Sequence, residues 1–249
     1  MVRLLPFVTL CVPLLAEDAI LEHARQVNLE RAAHMPNFVA DEVVTFYGNR
    51  KGSRQWEQDS TIIEDEITVN GNQISRRDFR RNGEPWHGIG LITRIRGFTP
   101  GLPATGFAAA LEPLFDPHCP TTLKFSANDE VRGKAVLVYQ FDSPANGCFG
   151  NLYGGFAYNA ARTGRVLIDG PSGDMLQFEE EAFGFPRRFR FVSRHQVMTW
   201  DNVKIGEASH WLPVSAEFIW TQKTGVRRRT IVEYRNHRHF ESATDIKYR

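Results

Sequence analysis

Nothing in these 249 residues spells out a reaction. There is no H-E-x-x-H spacing to seat a zinc ion on a helix, and no glycine-rich loop leading from a strand into a helix to cradle a phosphate. Gly170-Pro171-Ser172-Gly173 imitates a G-x-S-x-G elbow, but it falls in a turn between two strand-like runs, not at a strand-to-helix corner. Charge imbalance is missing too. Thirty basic against 29 acidic residues give a net charge of +1, which excludes a bulk electrostatic footprint for nucleic acid. The basic runs Arg187-Arg188 and Arg227-Arg228-Arg229 border turns and read as solvated strand ends. Internal repeats and low-complexity tracts are absent, and no cofactor motif is found. What is present is enough apolar matter, 42% hydrophobic and 12% aromatic residues, to bury a core, which excludes a disordered chain.

The N-terminus reads as an export signal. Met1-Val2-Arg3 carries a positive charge, Leu4 to Leu15 is almost unbroken apolar sequence, and Ala16 precedes the acidic Glu17-Asp18. That run is too short for a membrane anchor, and Pro6 and Pro13 argue against a buried strand. Cleavage is expected after Ala16, leaving residues 17–249 as one domain in the periplasm or secreted. Of the three cysteines, Cys11 lies in the signal and follows a bulky Leu10, which disfavours lipidation. Cys119 and Cys148 remain, in an oxidising compartment. They stand just outside opposite ends of a hairpin, Leu123–Ala127 and Lys134–Phe141, so a disulfide there would clamp its open end, worth about 3–4 kcal/mol of loop entropy. The alternative is two unrelated buried thiols.

Along the chain, Glu17 to Met35 has a helical stripe of Ile20, Ala24 and Val27, with Arg25 and Glu30 facing away and Pro36 as its stop. From Phe38 the pattern turns to strands: Phe38–Tyr47, Trp56–Val69 and Gln73–Arg81, the last two joined at Asn70-Gly71-Asn72. The segment from Trp86 to Pro120 interrupts with glycines and prolines and holds a short apolar helix, Gly106–Phe115, capped by Thr105. It reads as a greasy plug over the sheet. Arg165–Asp169 and Met175–Ala182 follow as a hairpin. The chain closes with a three-strand meander from Arg187 to Phe240. In its first strand Phe189, Phe191, His195, Val197 and Val203 form the greasy track and Arg190, Arg194 and Gln196 the wet one; in its second, Val214, Ala216, Phe218 and Trp220 face in. The sum is a mainly β (α+β) chain with a single antiparallel sheet of about ten strands and two helices.

Candidates for chemistry are weak. His237 and His239, two apart on a strand with Glu233 on the same track, are the best metal candidates, but they read as an exposed pair. The acid triplets Glu64-Asp65-Glu66 and Glu179-Glu180-Glu181 could hold a glycosidase pair, yet consecutive strand residues point to opposite faces, so they read as solvated strand surface. Cys148 could be a nucleophile only if unbridged.

The strand end Val166-Leu167-Ile168-Asp169, the turn at Gly173, the strand start Leu212-Pro213-Val214 and the ending Glu233 to Phe240 form an ordered set. With the signal sequence and the short helix stopping at Phe115-Asp116-Pro117, this set resembles the outer-membrane lipoprotein-sorting (LolA/LolB-like) family. The resemblance implies a strongly curved, unclosed half-barrel wrapped around helices, with a cavity that shelters acyl chains. It implies a non-enzymatic monomer that binds a hydrophobic small molecule, a lipid or a lipoprotein, with an envelope membrane protein as a further partner. It brings no residue-level motif. The expected ligand-binding residues come from the residue pattern: Ile89, Leu91, Phe107, Leu111 and Leu114 of the insert, and Phe191, Val214, Phe218 and Trp220 of the meander. A secreted hydrolase with an unrecognised site and an interaction module with a self-filled interior are the alternatives.

Overall fold

The computed structural model describes residues 13–49, 52–53, 55–70, 73–87, 111–149 and 159–240. Helix α1 (Pro13–Ala33) leads into β1 (Phe38–Gly48), β2 (Glu57–Asn70), β3 (Gln73–Arg81) and the two-residue β4 (Glu84–Pro85). A second helix, α2 (Leu111–Phe115), precedes β5 (Thr122–Val131), β6 (Lys134–Ser143), β7 (Ala161–Asp169) and β8 (Met175–Phe183). The meander is β9 (Phe191–Ile205), β10 (Ala208–Gln222) and β11 (Arg227–His239).

All eleven strands join one sheet in the order β4-β3-β2-β1-β11-β10-β9-β8-β7-β6-β5, and each neighbouring pair is antiparallel. The chain thus runs outward from β1 to one edge, then re-enters at the other edge and returns to close on β1 through β11. The two edges do not meet, so the sheet is an unclosed half-barrel, as the family resemblance implied, and a single antiparallel sheet, as the residue pattern led us to expect. Tight turns are built where the sequence permits left-handed backbone. Arg132 and Gly133 both have positive φ, 53° and 76°, in the two-residue connection between β5 and β6. The disulfide Cys119–Cys148, with Cα atoms 5.5 Å apart, closes the base of this hairpin as expected.

Alternation along the strands puts one face of the sheet in the core. That core is continuous from Phe38, Val44 and Ile67 through Phe178 and Phe218 to Tyr139 and Phe141, and it includes Ala24 of α1 and Leu111, Leu114 and Phe115 of α2. Helix α1 docks by its buried Asn28, whose amide donates to the Gly173 and Ala24 carbonyls and whose oxygen accepts the Met175 N–H. Arg31 pairs with Asp174 alongside, at 2.5 Å. Gly173 sits so close to His23 and Val27 that a Cβ there would lie 3.0–3.2 Å from them, and its φ of 76° is left-handed. The apolar stripe expected on α1 is therefore only partly what anchors it. Asn28 is more buried than Ile20 or Val27, and Arg25, expected to face away, donates to the Phe115 carbonyl at 3.2 Å. Helix α1 covers the end of the sheet marked by the β7–β8 turn, and α2 packs against α1.

Candidate functional site

The strand register arranges the core-facing side chains in rows that cross the sheet. Tyr139, Val166, Phe178, Met198, Ala216 and Val232 are successive partners on β6 to β11, and Val44 and Ile63 extend the row onto β1 and β2. All are buried. The middle of the concave face is thus one apolar band, because each strand contributes the track that is hydrophobic at this level.

One step further from the helices the next row reads Phe141, Gly164, Glu180, Gln196, Phe218 and Thr230. Phe141, Phe149 and Phe178 stack with centroids 5.5–6.3 Å apart. Gly164 is needed here. A Cβ on it would fall 2.0 Å from the Glu179 carbonyl and 2.7 Å from the Phe141 ring. Glu180, 1% exposed, is shared by two arginines of the following row: Arg162 Nη1 donates to it at 3.2 Å, and Arg194 donates to its other oxygen. Each guanidinium also lies over aromatic rings, Arg162 at 4.4 Å from the Phe149 centroid and Arg194 at 5.6 Å from that of Trp220.

A second buried polar cluster occupies β1, β2, β3 and β11. Glu42 pairs across the strands with Tyr234 and with Asp65, and Arg76 reaches both carboxylates, with Nη1 3.3 Å from Asp65 Oδ2. Burial first, and then the Glu42 charge, push Asp65 up to about 8, so at neutral pH this pair of acids holds a proton. The Tyr234 hydroxyl is pushed up by burial and by Glu42 as well.

These clusters correct the expectation for both acid triplets. The middle residue of each, Asp65 and Glu180, points into the concave face and is buried against arginine, while its neighbours face outward. On β9 the tracks from Arg194 onward are likewise the reverse of those expected: Arg194, Gln196, Met198 and Trp200 are buried and His195 and Val197 are on the outer side, while Phe191 is buried as expected. Scoring Arg and Gln as outward caused the error; the paired Met198 and Trp200 further along the same track were the signal that could have found it.

Of the expected ligand-binding residues, Phe191, Phe218 and Trp220 are 3%, 2% and 3% exposed on the concave side, with Phe191 and Trp220 rings 5.0 Å apart. Val214 is half-buried, because a register shift between Pro213 and Ser215 takes it out of the ladder. Leu111 and Leu114 are buried on α2; Ile89, Leu91 and Phe107 lie outside the described residues. His237 tilts against the Phe38 ring at 5.4 Å, and left-handed Asn236 with the shift between Val39 and Asp41 breaks the alternation that aligned it with Glu233. Among the described residues no group of three or more His, Cys, Asp or Glu is placed to hold a metal. Near the β3 edge an open recess of about 380 Å³ is lined by Phe79, Trp86 and His87 among others.

No family model matches the chain, and no curated protein matches it. Among solved structures it is similar to a Vibrio parahaemolyticus domain described as an outer membrane lipoprotein-sorting protein domain, at 13% identity over 93% of this chain and 95% of that one, TM-score 0.45. It is also similar to a LolA superfamily protein from Nitrosomonas europaea, at 10% identity over 93% and 97%, TM-score 0.32. Lipoprotein LppX from Mycobacterium tuberculosis is a third, at 11% identity over 87% and 94%, TM-score 0.26. The first two are described in the terms of the family that the sequence resembles.

Proposed function

We propose that this is a non-enzymatic carrier of the bacterial envelope that holds a hydrophobic ligand, a lipid or the acyl chains of a lipoprotein, on the concave face of its sheet. The apolar band from Tyr139 to Ile63 carries this reading. An unclosed sheet with such a face must cover it with helices or with ligand, and α1 docks at the β7–β8 turn. Phe191, Phe218 and Trp220, with the insert residues Ile89, Leu91, Phe107, Leu111 and Leu114, complete the ligand surface, and Val214 borders it. Export with cleavage after Ala16 places the carrier outside the cytoplasm, where its disulfide persists. No helix among the described residues is long and apolar enough to cross a membrane.

The test is binding of a neutral hydrophobic fluorophore such as N-phenyl-1-naphthylamine to the purified mature protein. Saturable binding that dodecanol reverses is expected. Absence of any saturable uptake would leave the concave face as a self-filled interior and remove the carrier role.

A further inference from the structure

Beyond the apolar band, the last row of the concave face before the strands end reads Ser143, Arg162, Ala182, Arg194, Trp220 and Arg228. Three arginines therefore stand on alternate strands, β7, β9 and β11, about 10 Å from one to the next along the row. The row lies at the end away from the helices. Along β8, Glu180 is five residues past the α1-docked Met175, about 17 Å. Arg162 and Arg194 are 5% and 8% exposed; Arg228 is exposed, and its guanidinium folds over the face of Gly48, 2.6 Å from where a Cβ would lie. Among the described residues, carboxylates in or beside this row include Glu180, shared by Arg162 and Arg194, and Glu57, which follows Gly48 in the row, with Asp59 two residues on.

We propose that this cationic row binds the anionic headgroup, a carboxylate or a phosphate, of an amphiphile whose chain lies along the apolar band. The inference rests on the reading of the concave face as a hydrophobic-ligand site and adds a class of ligand to it. Fold stability alone does not account for the arrangement. Burying ions costs several kcal/mol each, and apolar groups of the same shape as a rule serve a core equally well or better. Guanidinium groups held by Glu180 and by the Phe149, Phe218 and Trp220 rings keep their planar forks in place, which suits recognition of carboxylate and phosphate oxygens. An amphiphile bound here has its charge fixed at one end of the half-barrel and its chain running toward α1 and α2.

The test displaces bound N-phenyl-1-naphthylamine with three ligands of equal chain length, dodecanoate, monododecyl phosphate and dodecanol, each below its micellar concentration at neutral pH. In the wild-type protein at least one of the two anions is expected to displace the probe at about tenfold lower concentration than dodecanol; the better anion identifies the headgroup. Arg228→Gln narrows the gap, and Arg162→Met/Glu180→Leu/Arg194→Met, which removes the buried charges together, closes it while probe binding persists. Equal displacement by all three ligands overturns the inference and leaves the carrier reading standing; so does a gap that Arg228→Gln leaves unchanged, which decides the matter even if the triple variant does not fold. Failure of the wild-type protein to bind the probe or any of the three overturns both.

Discussion

Asp65→Asn is expected to flatten the pH dependence of stability in the mildly acidic range. Asp65 is 5% exposed, pairs across the strands with Glu42, which in turn pairs with Tyr234, and shares Arg76 with Glu42. Burial and the Glu42 charge push its carboxyl up to about 8 in the folded chain, from the ordinary 3.8 of a free aspartate. A carboxyl raised by folding lends stability below its unfolded value, and that contribution is lost as pH rises through the folded value. Between those limits the native state holds one more proton than the unfolded chain, a slope of about 1.4 kcal/mol per pH unit, so at most about 3 kcal/mol is lost between about pH 5 and pH 7. Asparagine cannot titrate. Urea unfolding at half-unit pH steps therefore gives a wild-type minus Asp65→Asn difference that falls by about 2–3 kcal/mol over that range. His195, raised by its hydrogen bond to Glu181, and His237, lowered by burial, titrate in both proteins and cancel in the difference. Parallel stability curves for the two proteins would refute the protonated pair.

Two further predictions bear on the frame around the ligand face. Glu180→Gln leaves the buried Arg162 and Arg194 without their shared carboxylate and is expected to cost about 3–5 kcal/mol in urea unfolding; a loss under about 1 kcal/mol would show that the arginines do not depend on it. Replacing Cys119 and Cys148 together by serine opens a loop whose ends are 29 residues apart and is expected to cost about 3–4 kcal/mol, with dithiothreitol lowering the wild-type stability to the same level; a reductant-insensitive wild type would contradict the bridge.

Most of the fold was legible because turns and alternation are local. Gln73–Arg81 is bounded in the structure as its sequence pattern bounds it, and the Cys119–Cys148 bridge followed from where the cysteines stand around the hairpin. The greasy track of β10 was read correctly for Ala216, Phe218 and Trp220, since large apolar residues dominate it. The charged part of the site was not legible. Arg162, Arg194, Glu180 and Asp65 lie inside only because partners on other strands meet them there, and register between distant strands is not written in any one strand. The same applies to Asn28, whose partners at Gly173 and Met175 are far along the chain.

The most direct measurement is native mass spectrometry of the protein as it leaves the cell, followed by denaturing release and identification of what was bound. The account predicts a near-stoichiometric amphiphile with acyl chains and an anionic group. A ligand-free protein that also takes up no fluorescent fatty acid would contradict it, and the half-barrel would then be a scaffold whose function lies on its outer surface.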